Sequence, residues 1–167
     1  MIPIVTPEEM AAIDAASPEA VEVLIDRAGA AVARAAIDLL GGTYGKRIVV
    51  LAGKGNNGAD GRAAAGRLRR RGAHVDIVDA ASAPERLAPA DLVIDAAYGT
   101  GFHGEHHAPD PGAAPVLAVD IPSGVSGLTG AVGGRALAAA RTVTFAALKP
   151  GLLLEPGRAG AHRRDHR

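Results

Sequence analysis

The sequence predicts an α/β fold in which two leading helices precede a mostly parallel central sheet. Short apolar segments rich in β-branched residues recur along the chain, as expected for strands that are buried on both faces. Segments of helical composition alternate with them, which is the pattern of βαβ units. The chain has 167 residues, 48% of them hydrophobic, so residues 1–167 are predicted to form a single domain with its own core.

The two leading helices are predicted from their N-terminal signals. Thr6 is followed by a proline and, three positions on, by a glutamate, which is the pattern of a capping box with proline in the first turn. This helix should run to about Ala16. Ser17-Pro18 repeats the signal, and apolar residues at three- and four-residue steps continue to Gly41, so we expect a second helix with one apolar face between these points.

The central sheet should contain five strands. A glycine loop over 53–58 follows the first strand, and a helix over 60–71 then leads to a stop at Gly72. Between the third and fourth strands, residues 99–114 have no helical pattern, and a loop of this length in a compact domain is usually functional. The predicted strands are residues 47–52, 74–78, 91–95, 115–119 and 142–145.

Polar, glycine-bearing loops follow three of the predicted strands. They begin at Gly53, at Asp95 and at Asp120. Ligands of open parallel sheets bind outside the carboxyl ends of the strands, so we expect these loops to converge on one site.

The first of these loops matches the G-x-G-x-x-G pattern between a strand and a helix. The glycines favour either a dinucleotide site, with phosphate at the helix N-terminus, or a tight strand-to-helix turn. Asp60 does not suit a simple phosphate cradle, because a carboxylate at the helix start repels phosphate. It suits a cation or a ligand that carries hydroxyl groups.

Each of the three loops also offers one oxygen-bearing side chain, namely Asn57, Asp95 and Ser123. Such hard ligands select hard cations, and with so few carboxylates a monovalent ion is more natural than calcium. The alternative is that these side chains cap turns, since Asn, Asp and Ser are common turn residues. Residue chemistry alone favours this alternative.

Asp120 and Lys149 are further candidates for chemistry. Asp120 follows a buried strand and is a candidate general acid/base if burial raises its pKa, or else a capping residue. Lys149 could neutralise a phosphate or pair with a carboxylate, or it could be a surface lysine. His103, His106 and His107 are interpreted as a solvated loop rather than metal ligands.

Composition excludes several classes of protein. Lys+Arg and Asp+Glu both number 18, so the basic surplus of a nucleic-acid-binding protein is missing. The absence of cysteine excludes disulfides and cysteine nucleophiles. No segment predicts a secretory signal or a bilayer-spanning helix, so no membrane association is expected, and we expect a cytoplasmic protein.

Several motifs together resemble the NAD(P)H-hydrate epimerase family (the YjeF N-terminal domain family). They are GKGNNGADG, DAAYGTGFHGE, AVDIPSG and TVTFAALKPGLLLEPG, and VTPEEMAAID and LIDRAG resemble the two leading helices of that family. The resemblance covers about residues 4–158 and implies a three-layer Rossmann-like sandwich, usually a homodimer. It also implies epimerisation of the R and S forms of hydrated NADH and NADPH (NADHX and NADPHX), with a bound potassium ion.

The motifs of the family carry over to particular residues of this chain. Asp120 is the expected catalytic residue and also contacts the substrate. Asn57, Asp95 and Ser123 are the expected potassium ligands. The other expected substrate-binding residues are Asn56, Asn57, Gly58, Ala59, Asp60, Gly99, Thr100, Gly101, Phe102, His103, Gly104 and Glu105.

The chain departs from the family at three places. Ser126 stands where an acidic residue is common, and the segment between Glu105 and Pro115 is short for a crossover helix. Beyond the KPG segment, residues 159–167 are expected to form a flexible tail. The dehydratase domain that is often fused behind this one is not seen, so the chain is interpreted either as a truncated half of a bifunctional enzyme or as a separately encoded half with a separate dehydratase partner. Two alternatives stay open, an NAD(P)-dependent oxidoreductase and a non-catalytic Rossmann-like binding module.

Overall fold

The computed structural model describes residues 2–160 and 164–166 and contains a parallel sheet with two of its helices packed on one face. Its α-helices are α1 (Pro7–Ala15), α2 (Val21–Leu40), α3 (Asn56–Arg69) and α4 (Gly157–Gly160). Its strands are β1 (Arg47–Ala52), β2 (His74–Asp79), β3 (Leu92–Ala96), β4 (His106–His107), β5 (Val116–Val119), β6 (Gly134–Arg135), β7 (Arg141–Thr144) and β8 (Arg164–His166).

The main sheet confirms the predicted parallel arrangement. Its strand order is β2-β1-β3-β5-β7-β8, and every neighbouring pair is parallel. The five predicted strands are all present within one residue of their expected limits. Because β1, β3 and β5 are neighbours, the loops that follow them leave the same edge of the sheet, as the sequence predicts.

The leading helices form, with one boundary different from the prediction. Thr6 makes the expected capping box, in which the Glu9 N–H donates to Thr6 Oγ1 over 3.2 Å and the Thr6 N–H donates to Glu9 Oε2 over 2.8 Å. The second helix begins at Val21 and not at Ser17-Pro18, because the Ser17 hydroxyl instead caps a short turn by accepting from the Glu19 N–H. It ends at Gly41, whose φ of 65° lies in the left-handed region.

The third helix begins earlier than the sequence indicates. The predicted loop over 53–58 ends at Gly55, and Asn56 already belongs to α3. Glycine disfavours helices locally, but here tertiary packing requires it. A Cβ atom built at Gly58 would lie 1.9 Å from the Gly53 carbonyl oxygen, and one built at Gly61 would lie 2.6 Å from the Ala96 Cβ atom. The glycines therefore let the helix approach the strands closely.

Three layers are present, but the third is not helical. On one face of the sheet, α2 and α3 cover a core that includes Ile48, Val50 and Ile94. The opposite face is covered by irregular segments that contribute Leu87, Ala108 and Leu137. These segments include the two short paired strands β4 and β6. Within residues 47–144, all of which the structure describes, α3 is the only α-helix, so the expected alternation of helices and strands is wrong. Proline- and glycine-rich connections replace the other helices.

The C-terminal segment is described only in part. Residues 164–166 pair with β7 as β8, where the sequence predicts a tail, while residues 161–163 and 167 of that predicted tail lie outside the described residues. The flexibility of the tail stays a prediction. No helix in the described part of the chain is long and apolar enough to cross a membrane.

Candidate active site

Asp95, near the end of β3, is hydrogen-bonded to Ser123 in the loop that follows β5. The Ser123 hydroxyl donates to Asp95 Oδ1 over 2.6 Å, and the Ser123 N–H donates to Asp95 Oδ2 over 2.9 Å. Both residues are fully buried. Burial raises the pKa of the Asp95 carboxyl above its usual value, although hydrogen bonds from Ser123 and Ala97 oppose the rise. The structure thus brings together two of the three predicted oxygen ligands.

Asn57 lies in the first turn of α3, beside the loop that follows Asp95. Its side-chain Oδ1 and Nδ2 atoms are both buried and have no hydrogen-bond partner among the described residues. Leaving such a group unpaired costs about 1–3 kcal/mol, so the amide is suited to a ligand that would satisfy it. A Cβ atom built at Gly99 would lie 3.4 Å from Asn57 Cγ and 3.2 Å from Asp120 Oδ2. Asn57 and Asp120 therefore flank Gly99.

Asp120 forms a buried ion pair with Lys149. Lys149 Nζ donates to Asp120 Oδ1 over 2.5 Å, and the lysine side chain is 1% exposed. The Thr100 N–H and hydroxyl both donate to Asp120 Oδ2, over 3.0 and 2.5 Å. Asp120 also has a φ of 67°, which non-glycine residues rarely adopt and which tends to occur at functional sites.

The condition stated for Asp120 as a general acid/base, a pKa raised by burial, is not met. Burial does raise the pKa, but the charge of Lys149 and the hydrogen bonds from Lys149 and Thr100 outweigh it, so the pKa lies below its usual value. Lys149 lies 29 residues beyond Asp120 in the sequence, so the sequence did not indicate which carboxylate the lysine would pair with. The interpretation of Lys149 as a carboxylate partner is confirmed, and the surface alternative is wrong.

Asp60 differs from Asp120 in its charge state. It lies in α3, is 8% exposed and accepts no hydrogen bond from the described residues. Burial, followed by the charges of Asp120 and Asp14, raises the pKa of Asp60 to about 7. A carboxyl with this pKa is half protonated at neutral pH and can act as a general acid or base. Two neighbouring carboxylates thus differ in protonation, which is a frequent feature of acid/base sites.

Asp14 of α1, an exposed acid that the sequence analysis did not consider, affects the electrostatics of this cluster. Its carboxyl interacts electrostatically with Asp120 and Lys149, and it raises the pKa of Asp60. The signal that could have found it is a single acid inside the apolar stretch that begins at Met10.

The long loop contributes unevenly to the site. Thr100 contacts Asp120, and Phe102 stacks on Tyr98 with ring centroids 4.2 Å apart. The other expected substrate residues of this loop are exposed and make no hydrogen bond to the carboxylates: Gly101, His103, Gly104 and Glu105.

The histidines of the long loop differ in their surroundings. His106 is buried against the ring of Tyr98 rather than solvated, with centroids 5.1 Å apart, so the expected solvated loop is wrong at this position. Within the described residues, no group of three or more His, Cys, Asp or Glu side chains could hold a metal.

The glycine motif after β1 serves packing. A Cβ atom at Gly53 would lie 1.9 Å from the Ala97 carbonyl oxygen, so β1 and the loop after β3 touch through their backbones. The tight-turn interpretation of the motif is therefore sufficient, and the motif gives no separate support to an oxidoreductase.

The fold and this cluster define an enzyme-like α/β protein with acid/base carboxylates at the carboxyl edge of a parallel sheet. The family model described as YjeF-related protein N-terminus matches residues 21–88 and 78–151, and the chain belongs to this family.

Named relatives and one solved structure agree with this membership. The NAD(P)H-hydrate epimerase of Limosilactobacillus fermentum is 37% identical over 84% of this chain and 82% of that protein. The bifunctional NAD(P)H-hydrate repair enzyme Nnr of Mycobacterium tuberculosis is 39% identical over 66% of this chain but only 29% of that protein. The crystal structure of yeast YNL200c superposes with a TM-score of 0.71 at 21% identity, over 98% of this chain and 86% of that one, and so shows a shared fold.

Proposed function

We propose that this protein interconverts the R and S forms of hydrated NADH and NADPH. The observation that carries the proposal is the pair of neighbouring carboxyls in opposite states, Asp60 with a pKa of about 7 and Asp120 held ionised by Lys149. The name of the Limosilactobacillus fermentum relative, an NAD(P)H-hydrate epimerase, supports the same reaction.

Epimerisation at the hydrated ring carbon needs both an acid and a base. The hydroxyl group must leave and return to the other face of the same carbon. In the dehydration route, Asp60 donates its proton to the hydroxyl, which departs as water and leaves a cation shared by the ring carbon and the ring nitrogen. The ionised Asp120 stabilises that cation and accepts the proton of the water that adds to the opposite face.

The protonation states are restored by the same electrostatics. After one turnover, Asp120 holds the proton and Asp60 is ionised. Because the pKa of Asp120 is lowered and that of Asp60 is raised, return of the proton to Asp60 is favourable. Ring opening and reclosure is the alternative route, and it would use the same two groups on the hydroxyl oxygen and the ring nitrogen.

Potassium is part of the proposal, with Asn57, Asp95 and Ser123 as its side-chain ligands. The Asn57 Oδ1 atom, which has no hydrogen-bond partner among the described residues, supplies an oxygen, and Asp95 supplies one formal negative charge. Ser123 is hydrogen-bonded to Asp95. This donor set suits a hard monovalent cation. A bound cation would supply positive charge beside the diphosphate of the substrate.

The remaining expected contacts are retained in the proposal. Residues 56–60 and 99–105 would surround the substrate, since both segments border the carboxylates. Homodimer formation, a cytoplasmic location and a separate dehydratase partner are also proposed. The word bifunctional in the name of the Mycobacterium tuberculosis relative, of which the match covers 29%, supports a second activity associated with this one.

The decisive experiment is an isomer-exchange assay on purified R and S hydrates, followed by chromatography. Wild-type protein should interconvert both isomers of both nucleotides without consuming ATP or ADP. Absence of interconversion by the folded protein, with and without potassium, would refute the proposal. An oxidoreductase would instead change the nicotinamide absorbance when a second substrate is supplied.

A further inference from the structure

The rings of Tyr98, Phe102 and His106 contact one another and form what we call the aromatic cluster. Phe102 stacks on Tyr98 with ring centroids 4.2 Å apart and an angle of 27° between the ring planes. His106 lies edge-on to both rings, with its centroid 5.1 Å from that of Tyr98 and 6.5 Å from that of Phe102. The sequence contains two tyrosines, two phenylalanines and no tryptophan, so half of these residues lie in this one loop.

Two rings of the aromatic cluster are held in place by the polypeptide behind them. The Tyr98 N–H donates to Ser123 Oγ over 3.0 Å, which ties its backbone to the loop that follows β5. The His106 N–H donates to the Gly133 carbonyl over 2.9 Å, and a Cβ atom built at Gly124 would lie 3.3 Å from His106 Cβ. His106 is buried, and its Nε2 atom has no hydrogen-bond partner among the described residues. Its side chain therefore contacts the cluster as a ring edge and not through a hydrogen bond.

Phe102 begins next to the groups that contact Asp120. The Phe102 N–H donates to the Gly99 carbonyl over 3.0 Å, which closes a turn and keeps the two Cα atoms within about 7 Å of each other. Thr100, inside this turn, donates to Asp120 Oδ2 from both its N–H and its hydroxyl. A Cβ atom built at Gly99 would lie 3.2 Å from the same oxygen. One short turn therefore carries both the Phe102 ring and the contacts to the carboxylate.

The Phe102 ring is only partly used by the fold. It is half-buried and belongs to none of the buried apolar clusters that the described residues form. Tyr98 covers one face of the ring, and among the described residues no second ring stacks on the other face. The neighbouring Gly101 and His103 are exposed. An aromatic ring that is held in place on one face and lies beside exposed residues is suited to a planar ligand.

The dehydration route requires stabilisation of a positive charge beside Asp120. The carbon–oxygen bond of the hydrate breaks, the hydroxyl leaves as water with the proton of Asp60, and the lone pair of the ring nitrogen forms the new carbon–nitrogen double bond. The charge of Asp120 is already compensated by Lys149, whose Nζ atom lies 2.5 Å from Asp120 Oδ1. Since this pair is neutral as a whole, it attracts a cation less than a free carboxylate would. The negative face of an aromatic ring attracts a cation and needs no counter-ion of its own.

We propose that Phe102 stacks on the hydrated nicotinamide ring and stabilises the cation formed there through its π face, and that Tyr98 and His106 are positioning residues that fix the plane of Phe102. The inference deepens the proposed epimerase function and rests on it. The reacting ring, and not the adenine, is assigned to this position because Phe102 shares its turn with the contacts to Asp120. The attraction is stronger for the cation than for the neutral hydrate, so it should appear in kcat more than in KM.

Fluorinated phenylalanines placed at position 102 test the π face while they keep the shape of the ring. Each fluorine withdraws electron density from the ring face, so kcat for isomer exchange should fall stepwise through the mono-, di- and trifluorinated forms, by about tenfold in all. KM should change much less. Phe102→Leu should lower kcat by about tenfold or more. Tyr44→Leu is the matched control and should leave kcat unchanged, because Tyr44 is 91% exposed and lies before β1, at the other edge of the sheet.

The positioning role is tested by pairs of variants at Tyr98 and His106. Tyr98→Leu and His106→Ala should each lower kcat by about threefold to tenfold and weaken its dependence on fluorination at position 102, because the Phe102 ring loses a neighbour that fixes its plane. Tyr98→Phe and His106→Phe keep a ring and should restore most of kcat. His106→Phe removes the Nε2 atom, which has no partner among the described residues. A merely structural role would lower the melting temperature and leave the dependence on fluorination unchanged.

Each part of the proposal has a result that would overturn it. If the folded fluorinated proteins epimerise at the wild-type rate, no cation faces Phe102, and ring opening becomes the favoured route while the epimerase function stands. A rise in KM at constant kcat would reduce Phe102 to a residue that only binds the ring. If the variants that keep a ring at Tyr98 and His106 do not restore kcat, the positioning role is refuted. If wild-type protein does not interconvert the hydrates, the proposed function itself fails, and the role of Phe102 fails with it.

Discussion

Lys149 Nζ donates to Asp120 Oδ1 over 2.5 Å, and the lysine side chain is 1% exposed. The pair gives Asp120 a counter-charge, whereas no basic group in the described part of the chain offsets the burial of Asp60. At neutral pH, the carboxyls of Asp60 and Asp120 therefore differ in charge, which is the property that an acid/base reaction requires.

Replacing Asp120 by Asn should lower epimerisation by about two to four orders of magnitude, the usual contribution of an acid/base group. The variant also leaves Lys149 as a buried charge without its anion, so the free energy of unfolding should fall by about 3 kcal/mol. Turnover at saturating substrate and urea denaturation measure the two effects. A near wild-type rate would make Asp120 a binding residue and leave Asp60 as the main candidate.

Replacing Asp60 by Asn should stabilise the protein at alkaline pH while it abolishes most activity. The pKa of Asp60 is raised from 3.8 to about 7, so the native state favours the protonated form. In wild type, stability is therefore full at low pH and decreases as pH rises between about 4 and 7, by up to about 4 kcal/mol. Asp60→Asn should remove this decrease. Thermal melting at pH 5 and pH 8 tests it, and equal effects at both values would contradict the raised pKa.

Asp120 contributes to stability with the opposite sign. Its pKa lies below the usual value in the folded protein, so the ion pair stabilises the fold above the unfolded pKa of 3.8 and is lost as pH falls through the folded value. Lys149→Met should remove this acid-side dependence or reverse it, because the burial of Asp120 is then opposed only by the hydrogen bonds from Thr100 and the pKa of Asp120 in the folded protein rises. Urea denaturation between pH 3 and pH 6 would show a flatter or reversed curve for the variant, and a curve parallel to wild type would argue against the pair.

Gly99→Ala should reduce activity more than stability. The added Cβ would lie 3.2 Å from Asp120 Oδ2, which forces the carboxylate to move by a few tenths of an ångström, and 3.4 Å from Asn57 Cγ, which is van der Waals contact. We expect a loss of about tenfold or more in kcat and about 1 kcal/mol or less in stability. Gly55→Ala is the matched control, because Gly55 lies outside the proposed contacts, has a φ of −84° that any residue adopts, and has nothing within 4 Å of its Cβ position. Equal behaviour of the two variants would place Gly99 outside the reacting centre.

Substrate affinity should depend on potassium through Asp95. At constant ionic strength, exchanging potassium for sodium should weaken hydrate binding by wild type, as measured by calorimetry. Asp95→Ala removes the only formal charge among the proposed ligands and should weaken binding and abolish the ion dependence. Ser123→Ala, which retains that charge, should show a smaller loss. If affinity does not change across the titration in any of these proteins, potassium plays no part in binding.

The sequence by itself determined the local and periodic features of this protein. The capping box at Thr6, the limits of β1 over 47–52 and the turn at Gly41 follow from patterns within a few residues, and each is present. The convergence of the loops at Asp95 and Ser123 also followed, because parallel strands that are neighbours must end at the same edge. Two of the family motifs contain Asp95 and Asp120, which lie at the ends of these strands.

Only the tertiary structure decided the charge of each carboxyl. Asp14, Asp60, Asp120 and Lys149 come from four distant segments, and a pKa depends on which of them lie close together and how far water is excluded. The early start of α3 was likewise decided by packing, since its glycines disfavour a helix locally but allow contact with Gly53 and Ala96. Electrostatic and packing energies act through space, and a single sequence does not specify those distances until the chain is folded.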